Sequence, residues 1–386
     1  MTADRPFTRR DLFTGGGQLV GAAALARLLA ACASPLVQDR GLAPASGGKL
    51  SIYNWPAYID GDSATGSVAR FGKATSIQVD YSEELKDNNK LYDETLVPTL
   101  GAGRPTPYDI VTPTFWLTAR VIANGWAQLL PLELIPNHKN LDVSLLRQPV
   151  DRGARFSMPW QSGITGIATN TSLVPKVTSV HELLTRADLK GRVGFLSEMR
   201  DSIGLAMLAA RADPSAATLE SATAGLAMLE KAVVDGQIIS FGDNLAYLDA
   251  ISAGKVAASV AWSGDLVQLK AQHPEFSFTI ADEGGMRWYD TMLIPKGATG
   301  VAQAAAWMNF VYDPQNAARI TLATQYVSPV IGTREVLATL DSTGERLAQD
   351  PLLFPDDATR QLLYTWHGTS LADEKTLSAR FNKLLS

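Results

Sequence analysis

From residue 49 onward the chain alternates short apolar runs with stretches whose apolar residues recur at helical spacing. KLSIYNW (49–55) opens as a strand, 63–74 carries a helical pattern, IQVDYS (77–82) is a second strand and 88–100 a second helix. YDIVT (108–112) reads as a third strand and 116–124 as an amphipathic helix. This alternation predicts an α/β fold with mainly parallel pairing, because a helical crossover returns a chain to a parallel neighbour. A second unit begins near residue 156. Its expected strands are GITGIATN (163–170), GRVGFLS (191–197), 238–241, 257–261 and 276–280, with helices at 179–186, 202–211 and 217–234. TMLIP (291–295) reads as another strand, 300–312 and 314–325 as helices, and the rest as mostly helical.

Residues 1–48 stand outside the alternation. Arg9-Arg10 is followed by GGGQLVGAAALARLLAAC, an apolar run broken by Arg27 and shorter than the ~20 residues a spanning helix needs. An arginine pair before such a run is the pattern of a twin-arginine export signal, with Leu12-Phe13 in inverted order. Leu29-Ala30-Ala31-Cys32 resembles a bacterial lipobox, so residues 1–31 are expected to be removed and Cys32, the sole cysteine, to be lipidated. Residues 32–48, rich in Ser, Pro, Ala and Gly, then read as a flexible tether. Loss of four arginines and two aspartates turns 34 bases and 39 acids into 30 and 37, a mature charge of −7. An acidic chain with no basic stripe excludes a nucleic-acid partner. One cysteine excludes an internal disulfide, and four scattered histidines give no zinc spacing. No dinucleotide fingerprint, phosphate loop or nucleophile elbow follows the leader, so no cofactor and no catalytic residue is expected.

The chemistry gathers where strands end. Trp55 and Tyr58 follow the first strand in YNWPAY, where Pro56 stops the ladder and fixes the corner. Trp116 follows YDIVTPTF, Glu198 and Asp201 lie in FLSEMRD, and Trp262 closes a strand with Asp265 three residues on. Trp288 and Asp290 precede TMLIP, and Tyr326 lies in QYVSPV. Singly, each ring is an ordinary packing residue, and Asp201 before SIGLAML is the expected helix N-cap. Together, rings and acids at successive strand ends line a pocket. Ring faces attract cations and carboxylates hold ammonium groups, so the pair suits a flexible ligand with amines at both ends.

In order and spacing, LSIYNWPAYI, YDIVTPT, SMPWQSGITGIATN, SEMRD, AWSGD and EGGMRWYDTMLIP resemble the bacterial periplasmic spermidine/putrescine-binding proteins, over about 49–386. The resemblance implies a two-lobed type II periplasmic binding protein, each lobe a mainly parallel sheet flanked by helices, with the ligand in the cleft between. It implies lobe 1 from 49–155 plus about 285–330, and lobe 2 from 156–284 plus about 331–386. It makes Trp55 and Tyr58 pocket walls, Thr114 a small hydroxyl contact and Trp116 an aromatic one. Glu198 and Asp201 match an acidic pair for one amine end, with Glu198 replacing a more usual Asp. Trp262 and Trp288 match ring platforms, Asp290 an amine-binding aspartate, and His367 a polar contact position. Asp265 matches an acid of putrescine-type members, whereas Ala57 stands where those members carry an aspartate, so ligand length stays open. The implied protein is a lipid-anchored monomer that hands a polyamine to an ABC transporter permease. Two alternatives stand beside it. One is a same-fold protein for a quaternary ammonium compound or thiamine, whose aromatic cage needs no paired acids. The other is a secreted glycan-active enzyme using Glu198 and Asp201.

Overall fold

The computed structural model describes residues 42–385 except 62–63, 147–150 and 243–245. The export signal, the lipobox with Cys32 and most of the tether lie outside the described residues. Ten strands share one sheet: β1 (Lys49–Tyr53), β2 (Gln78–Ser82), β3 (Ile110–Val111), β4 (Ser157–Asn170), β5 (Val193–Leu196), β6 (Ile238–Gly242), β7 (Ala258–Trp262), β8 (Phe276–Thr279), β9 (Gly285–Leu293) and β10 (Leu363–Tyr364). Their order is β2-β1-β3-β9-β4-β7-β5-β6, with β10 beside β9 and β8 beside β4.

The expected parallel pairing holds in the two wings, β2-β1-β3 and β7-β5-β6. It fails at the centre, where β4 runs antiparallel to β7, β8 and β9. The reason is that β4 and β9 do not belong to one wing. Val111 of β3 pairs with Leu293 at one end of β9, while Thr165 of β4 pairs with both Met286 and Trp262 near the other wing. These two strands are the thread between wings. Their ladder shifts register between Pro159 and Ser162, where proline has no N–H to contribute. Every residue of β4 is buried.

Other corrections have local causes. The first helix runs Ser67–Thr75, starting after the extended Gly66 and ending at Ser76, which takes φ 60°. It seats Phe71 edge-on against Trp307 at 5.2 Å, in a core with Leu50, Ile52 and Ile110. Burying such side chains contributes roughly 1.5–3 kcal/mol each. The expected helix at 88–100 is segmented: Leu91–Leu96 is a π turn, in which the Val97 N–H reaches back to the Tyr92 carbonyl, and Pro98 follows. Trp288, Tyr289 and Asp290 do not precede the TMLIP strand; they lie inside β9, which begins at Gly285. The helix expected at 202–211 starts earlier, at Met199, and runs to Ala209.

Candidate functional site

The carboxyl ends of β1, β3, β5 and β7 turn toward one cavity of about 480 Å³. Ligands in open α/β sheets gather at such ends. After β1, Asn54 bonds the Tyr81 hydroxyl at 2.6 Å, and the Trp55 indole N–H reaches the Thr112 carbonyl at 2.9 Å. Ala57 takes φ 54°, an uncommon conformation for a side-chain-bearing residue. Gln161, from the irregular part of β4, holds the next carbonyl, Tyr58 O, at 3.0 Å. Trp55 and Tyr58 both line the cavity.

β5 and β7 end alike. Each passes into a helix whose third residue is an acid: Asp201 in Met199–Ala209 and Asp265 in Ser263–Gln272. Helix N-termini are ready-made anion sites. Here the chain places its own carboxylates in each first turn, which turns the local charge from one suited to an anion toward one suited to a cation. The N-cap of the first helix is Glu198, which accepts from the Arg200 N–H at 3.2 Å; Asp201 is not the cap, contrary to the sequence expectation.

Asp201 is 5% exposed and accepts from the Trp262 indole at 2.9 Å. Burial pushes its carboxyl up to about 7, with neighbouring Glu198 adding to the rise. Asp290, also 5% exposed, accepts from the Thr114 hydroxyl at 2.7 Å, and burial raises it to about 7 as well. Asn88 fixes Thr114 by bonding its hydroxyl at 2.8 Å and accepting its N–H at 3.1 Å. Asp265 accepts from Tyr326 at 2.7 Å and from Tyr247, and burial raises it too. The buried Tyr58 hydroxyl faces Asp290, whose charge and hydrogen bonding favour its protonated form. None of the three aspartates has an ion-pair partner among the described residues.

The rings form a continuous wall by edge contacts. Tyr58 meets Tyr326 at 5.4 Å, Tyr326 meets Trp288 at 5.4 Å, Trp288 meets Trp262 at 6.3 Å, and Trp262 meets Tyr247 at 5.7 Å. Two glycines allow it. A Cβ at Gly163 would sit 2.3 Å from the Trp288 ring, and one at Gly264 would sit 2.7 Å from that of Tyr326.

In a neighbouring group the acids already have cations of the chain's own. The Arg200 guanidinium lies 3.5 Å from the centre of the Trp116 ring and bonds Glu198 at 3.2 Å and Glu374 at 2.6 Å. Arg120 flanks the same ring at 5.5 Å and meets Glu374 at 3.6 Å. Trp116 lines the cavity, with Arg200 against its ring.

The structure thus brings Trp55, Tyr58, Thr114, Trp116, Glu198, Asp201, Trp262, Asp265, Trp288, Asp290 and Tyr326 to one cavity. His367 is not in its wall; the ring packs edge-on against Phe115 at 5.7 Å. Sequence reasoning missed Asn88, Arg200, Tyr247 and Glu374. Arg200 sat inside the quoted SEMRD stretch, but nothing there marked its turn toward Trp116. No group of three or more potential metal ligands occurs among the described residues.

The family model described as bacterial extracellular solute-binding protein matches residues 66–353. The chain belongs to that family. It is 26% identical to spermidine/putrescine-binding periplasmic protein 1 of Haemophilus influenzae, over 79% of this chain and 80% of that one. It is 24% identical to the putrescine-binding periplasmic protein SpuD of Pseudomonas aeruginosa, over 90% and 94%. Among solved structures it superposes on the PotD substrate-binding protein of Streptococcus pneumoniae with TM-score 0.72 at 22% identity, covering 88% of this chain and 98% of that one. The TpPotD lipoprotein of Treponema pallidum gives 0.73 at 18%, covering 87% and 99%. The fold is that of a two-lobed type II periplasmic binding protein, and the family and these relatives are solute-binding proteins.

Proposed function

We propose that the chain captures a polyamine outside the cytoplasm and delivers it to an ABC transporter permease, as a binding protein and not as an enzyme. The observation that carries this reading is the set of three desolvated aspartates without a cation, set among ring faces. A buried carboxylate without a counter-charge is costly, and a ligand bearing ammonium groups offsets that cost. Polyamine nitrogens titrate near ~10, as lysine does, so the ligand arrives charged at neutral pH. Ring faces then add roughly 0.5–2 kcal/mol per cation contact. The relatives named for spermidine and putrescine support the same class. A quaternary ammonium ligand has no N–H to donate to the aspartates. A glycan-active use of Glu198 and Asp201 is disfavoured because Glu198 is held by Arg200 on the same helix start.

In this reading Asp290, Asp201 and Asp265 seat the ammonium groups, with Trp55, Tyr58, Trp262, Trp288 and Tyr326 along the methylenes. Lobe 1 is 49–155 with about 285–330, lobe 2 is 156–284 with about 331–386, and β4 and β9 flex between them. The protein acts as a monomer anchored through lipidated Cys32; mass spectrometry of the mature N-terminus tests the anchor, and an unmodified Cys32 in the native host would contradict it.

Calorimetric titration of the ligand-free protein with putrescine, cadaverine, spermidine and spermine tests the substrate class, with choline and thiamine as controls. Saturable one-to-one binding of a polyamine, with no heat from the controls, is expected. Binding of choline or thiamine in preference to all four amines would overturn the assignment.

A further inference from the structure

We propose that Gln161, with Ser162 beside it, is the positioning residue for the cavity's ring wall. From one irregular point of β4 it holds the segments that carry Tyr58, Trp288 and Tyr326, and so sets how tightly an amine ligand is bound. The proposal takes its ligand from the polyamine reading and deepens it by naming two residues outside the cavity wall.

Gln161 is 3% exposed, and neither it nor Ser162 lines the cavity. Burying an amide costs free energy unless its groups are bonded. Both ends of this amide are bonded. Nε2 donates to the Tyr58 carbonyl at 3.0 Å, and Oε1 accepts from the Thr324 hydroxyl at 2.7 Å. These partners lie 103 and 163 residues away along the chain. The Ser162 hydroxyl donates to the Trp288 carbonyl at 2.6 Å, and its main chain pairs both ways with Val327, at 3.0 and 2.9 Å. Three distant segments therefore meet where β4 loses its regular register with β9.

The two tyrosines sit after strained corners. Tyr58 follows Ala57 at φ 54°, and Tyr326 follows Gln325 at φ 57°, just past the helix Pro314–Thr324. Five non-glycine residues take a positive φ among the described residues, and two of them immediately precede rings of this wall. Such residues persist where the surroundings over-determine them. Gln161 supplies that constraint at both corners, on the main chain just after Ala57 and on the side chain just before Gln325. Its reach extends to an acid, because the Tyr326 hydroxyl donates to Asp265 at 2.7 Å. Tyr58, Tyr326 and Trp288 meet edge-on at 5.4 Å each, so a shift of one corner is passed along the wall.

The test compares variants of the purified protein by calorimetry with putrescine and spermidine, and by fluorine NMR with fluorinated tryptophan. Trp288→Phe assigns the Trp288 signal. Gln161→Met keeps the side chain's length and removes both bonds. It should weaken polyamine binding about tenfold or more, and shift the Trp288 signal in the ligand-free protein. Thr324→Val should weaken binding about threefold to tenfold, and Thr324→Ser, which keeps the hydroxyl, by less than about twofold. Gln237→Met controls for stability alone: Gln237 is also buried, and its Nε2 bonds the Leu183 and Arg186 carbonyls at 3.1 and 3.2 Å, away from the cavity. It should lower the melting temperature and leave affinity and the Trp288 signal unchanged. Wild-type affinity and signal in folded Gln161→Met would overturn the proposal, as would equal losses in Gln161→Met and Gln237→Met. Should Gln161→Met fail to fold, the Thr324 pair decides, and equal affinities for Thr324→Val and Thr324→Ser overturn it. If wild type binds neither amine, the polyamine reading falls and the Trp288 signal decides. Moved by Gln161→Met and not by Gln237→Met, it leaves the positioning of the wall standing; unmoved, it removes that too.

Discussion

Two groups of carboxylates line the same cavity and solve the same problem differently. Glu198, with Glu374 behind it, is held by Arg200, and Arg120 completes the group, with both guanidiniums against the Trp116 ring. Asp201, Asp265 and Asp290 have hydrogen bonds but no cation, and burial raises all three. The first group contains every part of a cation site, including the cation. The second has acids and rings and lacks only that. The difference teaches where the ligand belongs: rings and acids mark a binding site only when the chain has not already supplied their partner.

The comparison predicts opposite responses to neutralising one acid in each group. Asp290→Asn should weaken polyamine binding by about 3–5 kcal/mol, read by calorimetry, since a buried ammonium loses its counter-charge. The same substitution should stabilise the ligand-free protein at pH 8. The sign follows from linkage: the folded value near 7 lies above the ordinary 3.8, so ionised Asp290 penalises the fold. The penalty is absent below the unfolded value and complete above the folded one, at up to about 4 kcal/mol. Glu374→Gln should instead destabilise the ligand-free protein by about 1–3 kcal/mol in denaturant unfolding, because it removes the carboxylate that Arg200 and Arg120 share. Equal signs for the two variants at pH 8 would break the contrast.

Gly163→Ala forces the Trp288 ring away from β4 and should cost about 1–3 kcal/mol of stability, with a parallel loss of affinity. A smaller contrast separates two tryptophans. Trp262→Leu should weaken polyamine binding by about 1–2 kcal/mol. Trp116→Leu should lower the melting temperature while leaving affinity nearly unchanged, since Arg200 already uses that ring.

The alternation of strands and helices was legible because each wing keeps its own period, and the ring-and-acid set because each member lies near a strand end. The antiparallel centre was not legible, since a strand crossing between wings has the same local pattern as one confined to a wing. Asp201 was misread as a cap because Glu198 and Asp201 are both competent, and only the backbone says which residue precedes the first turn. The Arg200 group was hidden by distance: Glu374 lies 174 residues from its partner, on a C-terminal helix with no distinguishing motif.

The central claim is that buried, partly protonated aspartates wait for a cation, and proton release tests it most directly. Putrescine is titrated into the protein at pH 7 in two buffers of different ionisation enthalpy. Asp201 and Asp290 stand near 7, so each holds about half a proton, and binding should expel about one proton in total. The buffer-dependent heat should then shrink several-fold by about pH 8, where both acids are mostly ionised and the amines are still charged. Binding with no proton released at pH 7 would contradict the account, because the cation would then be meeting something other than these acids.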